Sequence, residues 1–297
     1  MSVWEEIVDY TVPSNTASIT LNNFGTITKD DFIKFSITII NNNSDFANYY
    51  VYPNNQTNSS SYTTQFLLGA DNSNVIAARE TPGRSFDSND TLTSNNASTI
   101  LGYLKLTENN VFNELYRNNF QTGGTGTYFT DIYRTSSGVT FPNGITSFTI
   151  TSDESNGIGS GSRFQIYKLA AEKVADITVS SNTTQVDITG LNITKDSEYL
   201  LVSYSINPTS SFNYNNLFYN NNTNESDYYD QYMVGAGSTA AAARINNARY
   251  MGVEEQQTSR NKTLAYSHIK LSNIGSYTSQ NYSIKELGTS LLRLENT

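Results

Sequence analysis

Residues Asn55–Ala70 read NQTNSSSYTTQFLLGA, and residues Asn221–Ala236 read NNTNESDYYDQYMVGA. The two stretches are one element written twice: the offset is the same at both ends (221 − 55 and 236 − 70 both give 166), and 8 of the 16 positions are identical. Asn55/Asn221, Thr57/Thr223, Asn58/Asn224, Tyr62/Tyr228 and Gly69-Ala70/Gly235-Ala236 are among the identities, and Phe66/Tyr232 and Leu67/Met233 are conservative pairs. A self-match at constant offset sets the architecture before any other signal is read.

The match extends both ways. Ile27-Thr28-Lys29-Asp30 returns letter for letter as Ile193-Thr194-Lys195-Asp196. Val186, Ile188 and Leu191 answer Ile19, Leu21 and Phe24; downstream, Ala77-Ala78-Arg79 is answered by Ala242-Ala243-Arg244, and Arg84 by Arg249. Tyr103-Leu104-Lys105-Leu106 is answered by His268-Ile269-Lys270-Leu271. Matching Tyr282 to Phe148 makes the second repeat shorter, which predicts an insertion of roughly 30 residues near 109–144 of the first. The tail Gly288–Leu294 then reads as a degenerate Gly161–Tyr167. The expected division is 1–172 for the first repeat and 173–297 for the second.

Within each repeat the hydrophobic period is two. Ile33, Phe35, Ile37 and Ile39 alternate with Lys34, Ser36 and Thr38, and Phe164 and Ile166 alternate with Arg163 and Gln165. This is the pattern of half-buried strands. Strands are also expected at Val3–Val12, Ala17–Leu21, Asn48–Tyr52, Tyr62–Leu68, Thr99–Leu106 and Ile145–Ile150. Polar turn residues separate them, a softer region covers Asp71–Thr91, a brief helical turn is expected at Leu169–Lys173, and Gly157–Ser162 (GIGSGS) reads as a flexible turn. The expected class is all-β, with two tandem β-sandwich (jelly-roll-like) domains related by the internal repeat.

Composition excludes several chemistries. The chain has 297 residues, a formal net charge of −9, no cysteine and one histidine. Lys and Arg are scattered, so an acidic surface speaks against a nucleic-acid partner. Disulfides, thiolate metal sites, cysteine nucleophiles and multi-histidine metal sites are all excluded. The first residues, MSVWEEIVDYTV, lack the pattern of a signal peptide, and no apolar run is long enough for a membrane helix. The expected setting is therefore synthesis in a cytoplasm, without membrane insertion.

Candidate catalytic groups are few. A Ser-His-acid triad would need His268, which stands where the first repeat has Tyr103; no nucleophile elbow is present. Gly157-Ile158-Gly159-Ser160-Gly161 lacks the Gly-Lys-Ser/Thr ending of a phosphate loop. Two carboxyls facing one cleft would suit glycoside hydrolysis. Asp227 and Asp230, however, replace Ser61 and Thr64 and so are not shared by the repeats, while the shared Asp30 and Asp196 suit turn capping. No calcium loop is present. The expectation is a non-enzyme without cofactor or metal.

Two sets of residues remain as binding candidates. Arg79 and Arg84, with Arg244 and Arg249, repeat an Arg-x-x-x-x-Arg pattern suited to carboxylates of a neighbouring subunit. Asn55, Thr57 and Asn58, with Asn221, Thr223 and Asn224, form polar surface loops suited to recognition, and nearby tyrosines could stack on sugar rings.

The order of features resembles a family. Val3-Trp4-Glu5-Glu6-Ile7 precedes the alternating Ala17–Leu21; a polar loop, Asn54–Asn58, leads to Tyr62; Gly161-Ser162-Arg163-Phe164-Gln165-Ile166-Tyr167 closes the repeat. The first repeat carries all three features, and the second keeps the middle one well. This resembles β-rich domains of tailed-bacteriophage virion proteins of the head-fibre, capsid-decoration or tail-associated-fibre type. The resemblance implies a surface-exposed virion component, commonly trimeric, whose partners are copies of itself, other virion proteins and a host-surface glycan. The competing readings are a stand-alone carbohydrate-binding module and a glycan-degrading enzyme.

Overall fold

The computed structural model describes residues 4–43, 47–70, 74–80, 88–92, 97–107, 111–122, 129–171, 173–191, 198–206, 213–224, 229–236, 239–246, 251–257, 262–271, 277–285 and 291–296. Among them the fold is all-β, with one turn of 3-10 helix at Ser59–Ser61 and no α-helix. The first repeat holds β1 (Trp4–Thr11), β2 (Ser18–Leu21), β3 (Ile33–Ile40), β4 (Ala47–Pro53), β5 (Thr63–Ala70), β6 (Asn74–Glu80), β7 (Ser88–Leu92), β8 (Ala97–Leu106), β9 (Val111–Thr122), β10 (Phe129–Thr140), β11 (Phe148–Ser152) and β12 (Arg163–Leu169). The second holds β13 (Glu198–Ile206), β14 (Asn213–Leu217), β15 (Tyr229–Ala236), β16 (Thr239–Asn246), β17 (Met251–Gln257), β18 (Lys262–Leu271), β19 (Tyr277–Lys285) and β20 (Leu291–Asn296).

By contacts the chain forms two compact units. One is 1–169 with 235–241 and 286–292; the other is 170–234, 242–285 and 293–297. The first repeat builds an 8-stranded sheet in the order β1-β12-β3-β8-β9-β10-β5-β6 and a 4-stranded sheet in the order β2-β11-β4-β7. Its core draws on both sheets. Ile33, Phe35, Ile37 and Ile39 of β3, Ile100 and Leu104 of β8 and Phe164 and Ile166 of β12 meet Tyr49 and Val51 of β4, Leu21 of β2 and Phe148 and Ile150 of β11. The period-two pattern decides this. Along β3 burial alternates strictly, and the apolar set is the buried one. At about 25 cal/mol per Å² of apolar surface, this buried layer is the main favourable term for the first repeat.

The second repeat builds a 6-stranded sheet in the order β13-β18-β19-β20-β15-β16 and a 2-stranded sheet of β14 and β17. Written beside β3-β8-β9-β10-β5-β6 and β4-β7, the orders are the same. The registers agree as well: Lys34 faces Tyr103 and Leu200 faces His268, while Leu106 faces Phe112 and Leu271 faces Tyr277.

These orders revise the sequence-based account of the length difference. Residues 109–144 are no insertion. They hold β9 and β10, whose places are taken in the second repeat by β19 and β20. The tail strand β20 therefore corresponds to β10 and not to Gly161–Tyr167. Among the described strands, what distinguishes the first repeat is β1, β2, β11 and β12. The sequence match went astray because short alternating strands resemble one another in composition, and only ladder position tells them apart. The softer region holds β6 and β7, and no helical turn forms at 169–171 or 173.

Candidate functional site

The polar loop singled out by the repeat is a tight turn in both copies. Asn54 and Asn55 have φ of 48° and 55°, and Asn220 and Asn221 have φ of 51° and 53°. The Gln56 amide donates to the Pro53 carbonyl at 3.0 Å, and the Asn222 amide to the Tyr219 carbonyl at 2.9 Å. Positive φ at both central residues with this closing bond defines a type I′ turn, and asparagine tolerates that region better than other non-glycine residues. Asn55, Thr57, Asn58, Asn221, Thr223 and Asn224 are all exposed.

The surroundings of the two turns differ. The Asn54 side chain donates to the Gly144 carbonyl at 2.9 Å and accepts from the Thr146 amide at 2.8 Å and the Ser147 amide at 3.2 Å. It thereby ties the turn to the segment entering β11. Its counterpart Asn220 is exposed. Asn58 has a local duty: its Oδ1 accepts from the Ser60 hydroxyl at 2.8 Å and the Ser60 amide at 3.2 Å, which caps the 3-10 turn. Asn224 donates its amide to Asn222 Oδ1 at 3.0 Å, a local Asx turn.

The arginines are divided. Arg79 sits in β6, opposite Gln65 of β5, and Arg244 holds the corresponding place in β16; β6 and β16 end their respective sheets. The side chains of Arg79 and Arg244 lie outside the described ones, and Arg84 and Arg249 lie outside the described residues. His268 stands in the interior of the second sheet, opposite Leu200 on one side and Gln280 on the other.

Two sequence expectations need correction. The turn-capping acid is Asp31, not Asp30. Asp31 Oδ2 accepts from the Thr28 amide at 2.8 Å and its hydroxyl at 3.1 Å, and Lys168 Nζ stands 2.5 Å from Oδ1. Burial resists ionisation of Asp31, yet the Lys168 ammonium and the Thr28 donors outweigh it and hold the carboxyl below its ordinary range. Asp196 lies outside the described residues. The second correction concerns Gly157–Ser162, which is anchored on several sides. Gly159 donates to the Ile40 carbonyl at 2.7 Å, Ile158 exchanges bonds with Thr16, and Ser160 donates its amide to Asn15 Oδ1 at 2.9 Å. A Cβ on Gly159 would stand 2.7 Å from the Ile40 carbonyl oxygen, so glycine serves close approach here, not mobility. The Tyr49 hydroxyl, pushed far above its ordinary range by burial and by the charge of Asp153, donates to the Gly157 carbonyl at 2.8 Å.

The largest contrast lies at the start of each repeat. In the first, β1 pairs with β12 and β2 pairs with β11, each at the end of its sheet order. Leu21 is buried, and Val8, Ile19 and Phe24 pack against the core. In the second, the matching residues 173–191 form no strand, and Val174, Ile177, Val179, Val186 and Leu191 are 58%, 50%, 48%, 47% and 37% exposed. The local chemistry is nevertheless conserved between the copies. Thr16 Oγ1 donates to the Ser18 carbonyl at 3.0 Å, and Thr183 Oγ1 donates to the Gln185 carbonyl at 2.9 Å. Sequence reasoning aligned Val186 with Ile19 but did not see that its partner strand is absent from the described second repeat.

Among the described residues no group of three His, Cys, Asp or Glu side chains could hold a metal ion, and no helix is long and apolar enough to cross a membrane. Comparison with protein-family models, curated proteins and solved structures finds no match to this chain. The surface that stands out physically is the exposed apolar segment 174–191 of the second repeat.

Proposed function

We propose that this chain is a non-enzymatic structural protein of a bacteriophage particle, exposed on the particle surface as a decoration, head-fibre or tail-associated-fibre protein. Each repeat is read as a β-sandwich of jelly-roll-like kind. The chain acts through subunit interfaces with its own copies and with other virion proteins. The observation that carries this reading is the exposed apolar segment 174–191. An acidic, polar chain that leaves five aliphatic side chains in water over eighteen positions is built for a covering partner. The sequence resemblance supports the virion setting.

Light scattering of the purified full chain tests the reading, with a stable homotrimer as the expected result. A monomer that hydrolyses glycans, with the activity lost in Asp227→Asn and Asp230→Asn, overturns it. A second reading, a carbohydrate-binding module, is favoured by one feature. Tyr50 and Tyr52 stack with ring centroids 6.2 Å apart, half-buried on β4 beside the Asn54–Asn55 turn. Glycan-array binding by monomeric protein, lost in Tyr50→Ala, would favour that reading.

A further inference from the structure

We infer that the first repeat carries a binding track for a neutral oligosaccharide, running across the outer face of its 4-stranded sheet from Tyr50 and Tyr52 to a cleft beside β2. The inference extends the glycan reading of the Tyr50–Tyr52 pair given above and rests on it; it requires no particular oligomer. The ladders place the parts. Thr149 of β11 stands between Tyr52 of β4 and Thr20 of β2, and Thr151 stands between Tyr50 and Ser18. Val51, Ile150 and Ile19 alternate with these residues and belong to the core, so both rows face away from it. Each row spans three strands, about 10 Å from β4 to β2. Thr20 and Thr149 meet hydroxyl to hydroxyl at 3.3 Å, and Ser18 and Thr20 are exposed. Ser18 and Thr20 also line an open cleft of about 300 Å³, together with Tyr10, Pro13, Ser14 and Thr16. That volume lies at the low end of the range for small-ligand sites.

The side chains state the chemistry of the ligand. A pyranose ring offers an apolar C–H face and a rim of hydroxyls. Tyrosine rings suit the first; Ser and Thr hydroxyls, each both donor and acceptor, suit the second. No residue of β2, β4 or β11 is charged, in a chain with 18 Lys and Arg and 27 Asp and Glu. An acidic glycan would meet no cation on these three strands, while Asp90 of β7 and Asp153, which follows β11, would repel it. The larger sheet gives the contrast. Its outer face also carries aromatic rings, with Tyr167 beside Lys34. There the Lys34 ammonium lies 5.6 Å from the Trp4 ring centre and 5.1 Å from that of Tyr167, so a cation of the chain itself already covers those rings. In the second repeat Asn216 and Phe218 hold the places of Tyr50 and Tyr52, 166 residues on. The pair is therefore not duplicated, and one site per chain follows.

The test applies the full chain to an array of neutral glycans and then titrates it calorimetrically with chitotriose, cellotriose and maltotriose. Lactose against sialyllactose supplies the charge comparison. The expected result is saturable binding of a neutral glycan, one per chain, and weaker binding of sialyllactose than of lactose. Ser18→Arg places a long charged side chain at an exposed position where track and cleft meet. It should abolish binding without moving the unfolding midpoint. Tyr50→Ala should weaken binding about tenfold, and Tyr167→Ala, on the other sheet, should leave it unchanged. Absence of binding to every neutral glycan on the array overturns the inference, and so does tighter binding of sialyllactose. Binding that falls in Tyr50→Ala but survives Ser18→Arg confines the ligand to the tyrosine pair: the glycan reading of that pair then stands and the track is overturned. A homotrimer that binds no neutral glycan leaves the virion reading standing and removes this one. A monomer whose binding is lost in Ser18→Arg does the reverse.

Discussion

The two repeats share strand order, ladder register and turn geometry, yet one pairs its opening residues into sheets and packs Val8, Ile19 and Leu21 against its core, while residues 173–191 of the other form no strand and are largely exposed. In the first repeat, residues 4–21 form two strands because β12 and β11 return from far along the chain to receive them. In the second, residues 173–191 keep the Thr183 turn and lose the strands. A local bond between a hydroxyl and a carbonyl two residues away needs only its own segment. A ladder needs a partner, and the apolar face needs a second sheet. In the first copy, the strands at the beginning are paired by strands from its end.

Several substitutions would break or sharpen that contrast. The largest effect is expected for Phe164→Ala, which empties a fully buried site on β12. It should cost about 3–5 kcal/mol in urea unfolding, and hydrogen exchange in 4–21 should then approach that of 173–191. If 4–21 stays protected after such a loss, the dependence of β1 and β2 on their partners is wrong.

Asp31→Asn comes next. Asp31 is 8% exposed on its side chain and meets Lys168, a residue of β12; the second repeat has Ser197 at that position. The acid occurs only in the first copy, where β12 carries the lysine. Loss of the charge-assisted bonds should cost about 1–3 kcal/mol at pH 7. The folded-state value of Asp31 is depressed, so its contribution is complete above the unfolded value of about 3.9 and fades as pH falls through the folded one. Wild type and variant should therefore converge in acid, read as unfolding midpoints between pH 7 and pH 3. A gap that widens on acidification would contradict the assignment.

A smaller effect separates the two turns. Glycine keeps positive φ, so Asn54→Gly removes the bonds to the Gly144, Thr146 and Ser147 backbone and to the Thr146 hydroxyl while keeping the turn. It should cost about 1–2 kcal/mol. Asn220→Gly should change stability by no more than about a few tenths of a kcal/mol. Equal losses would mean that the Asn54 bonds contribute nothing beyond the turn itself.

The smallest effect is expected at the rim. Arg163 donates to both carboxylate oxygens of Asp9, at 2.8 and 2.6 Å, and this lowers the Asp9 titration. Both partners are solvated, so Arg163→Gln should shift the unfolding midpoint barely beyond scatter, and any shift should vanish in high salt. A large, salt-independent loss would show that β1 is held by this pair and not by its ladder with β12.

Much of the fold was legible because its signals are local. The alternation Ile33–Ile39 announced a strand with one buried face, and the Asn55/Asn221 repeat announced a duplicated element that proved to be the same I′ turn twice. The match of Gly288–Leu294 to Gly161–Tyr167 misled, because β10 and β12 differ in their neighbours and not in their period. Asp31 was missed in favour of Asp30 because the aspartate shared by both repeats drew the reading, while the capping acid is the one whose partner lies on β12.

The residues alone determined an all-strand chain, an internal copy and the turns of each copy, since these depend on contacts a few positions long. Tertiary structure decided which of two similar opening segments becomes sheet. That choice depends on a strand arriving from more than a hundred residues away in the first repeat, and no reading of the segment itself contains it.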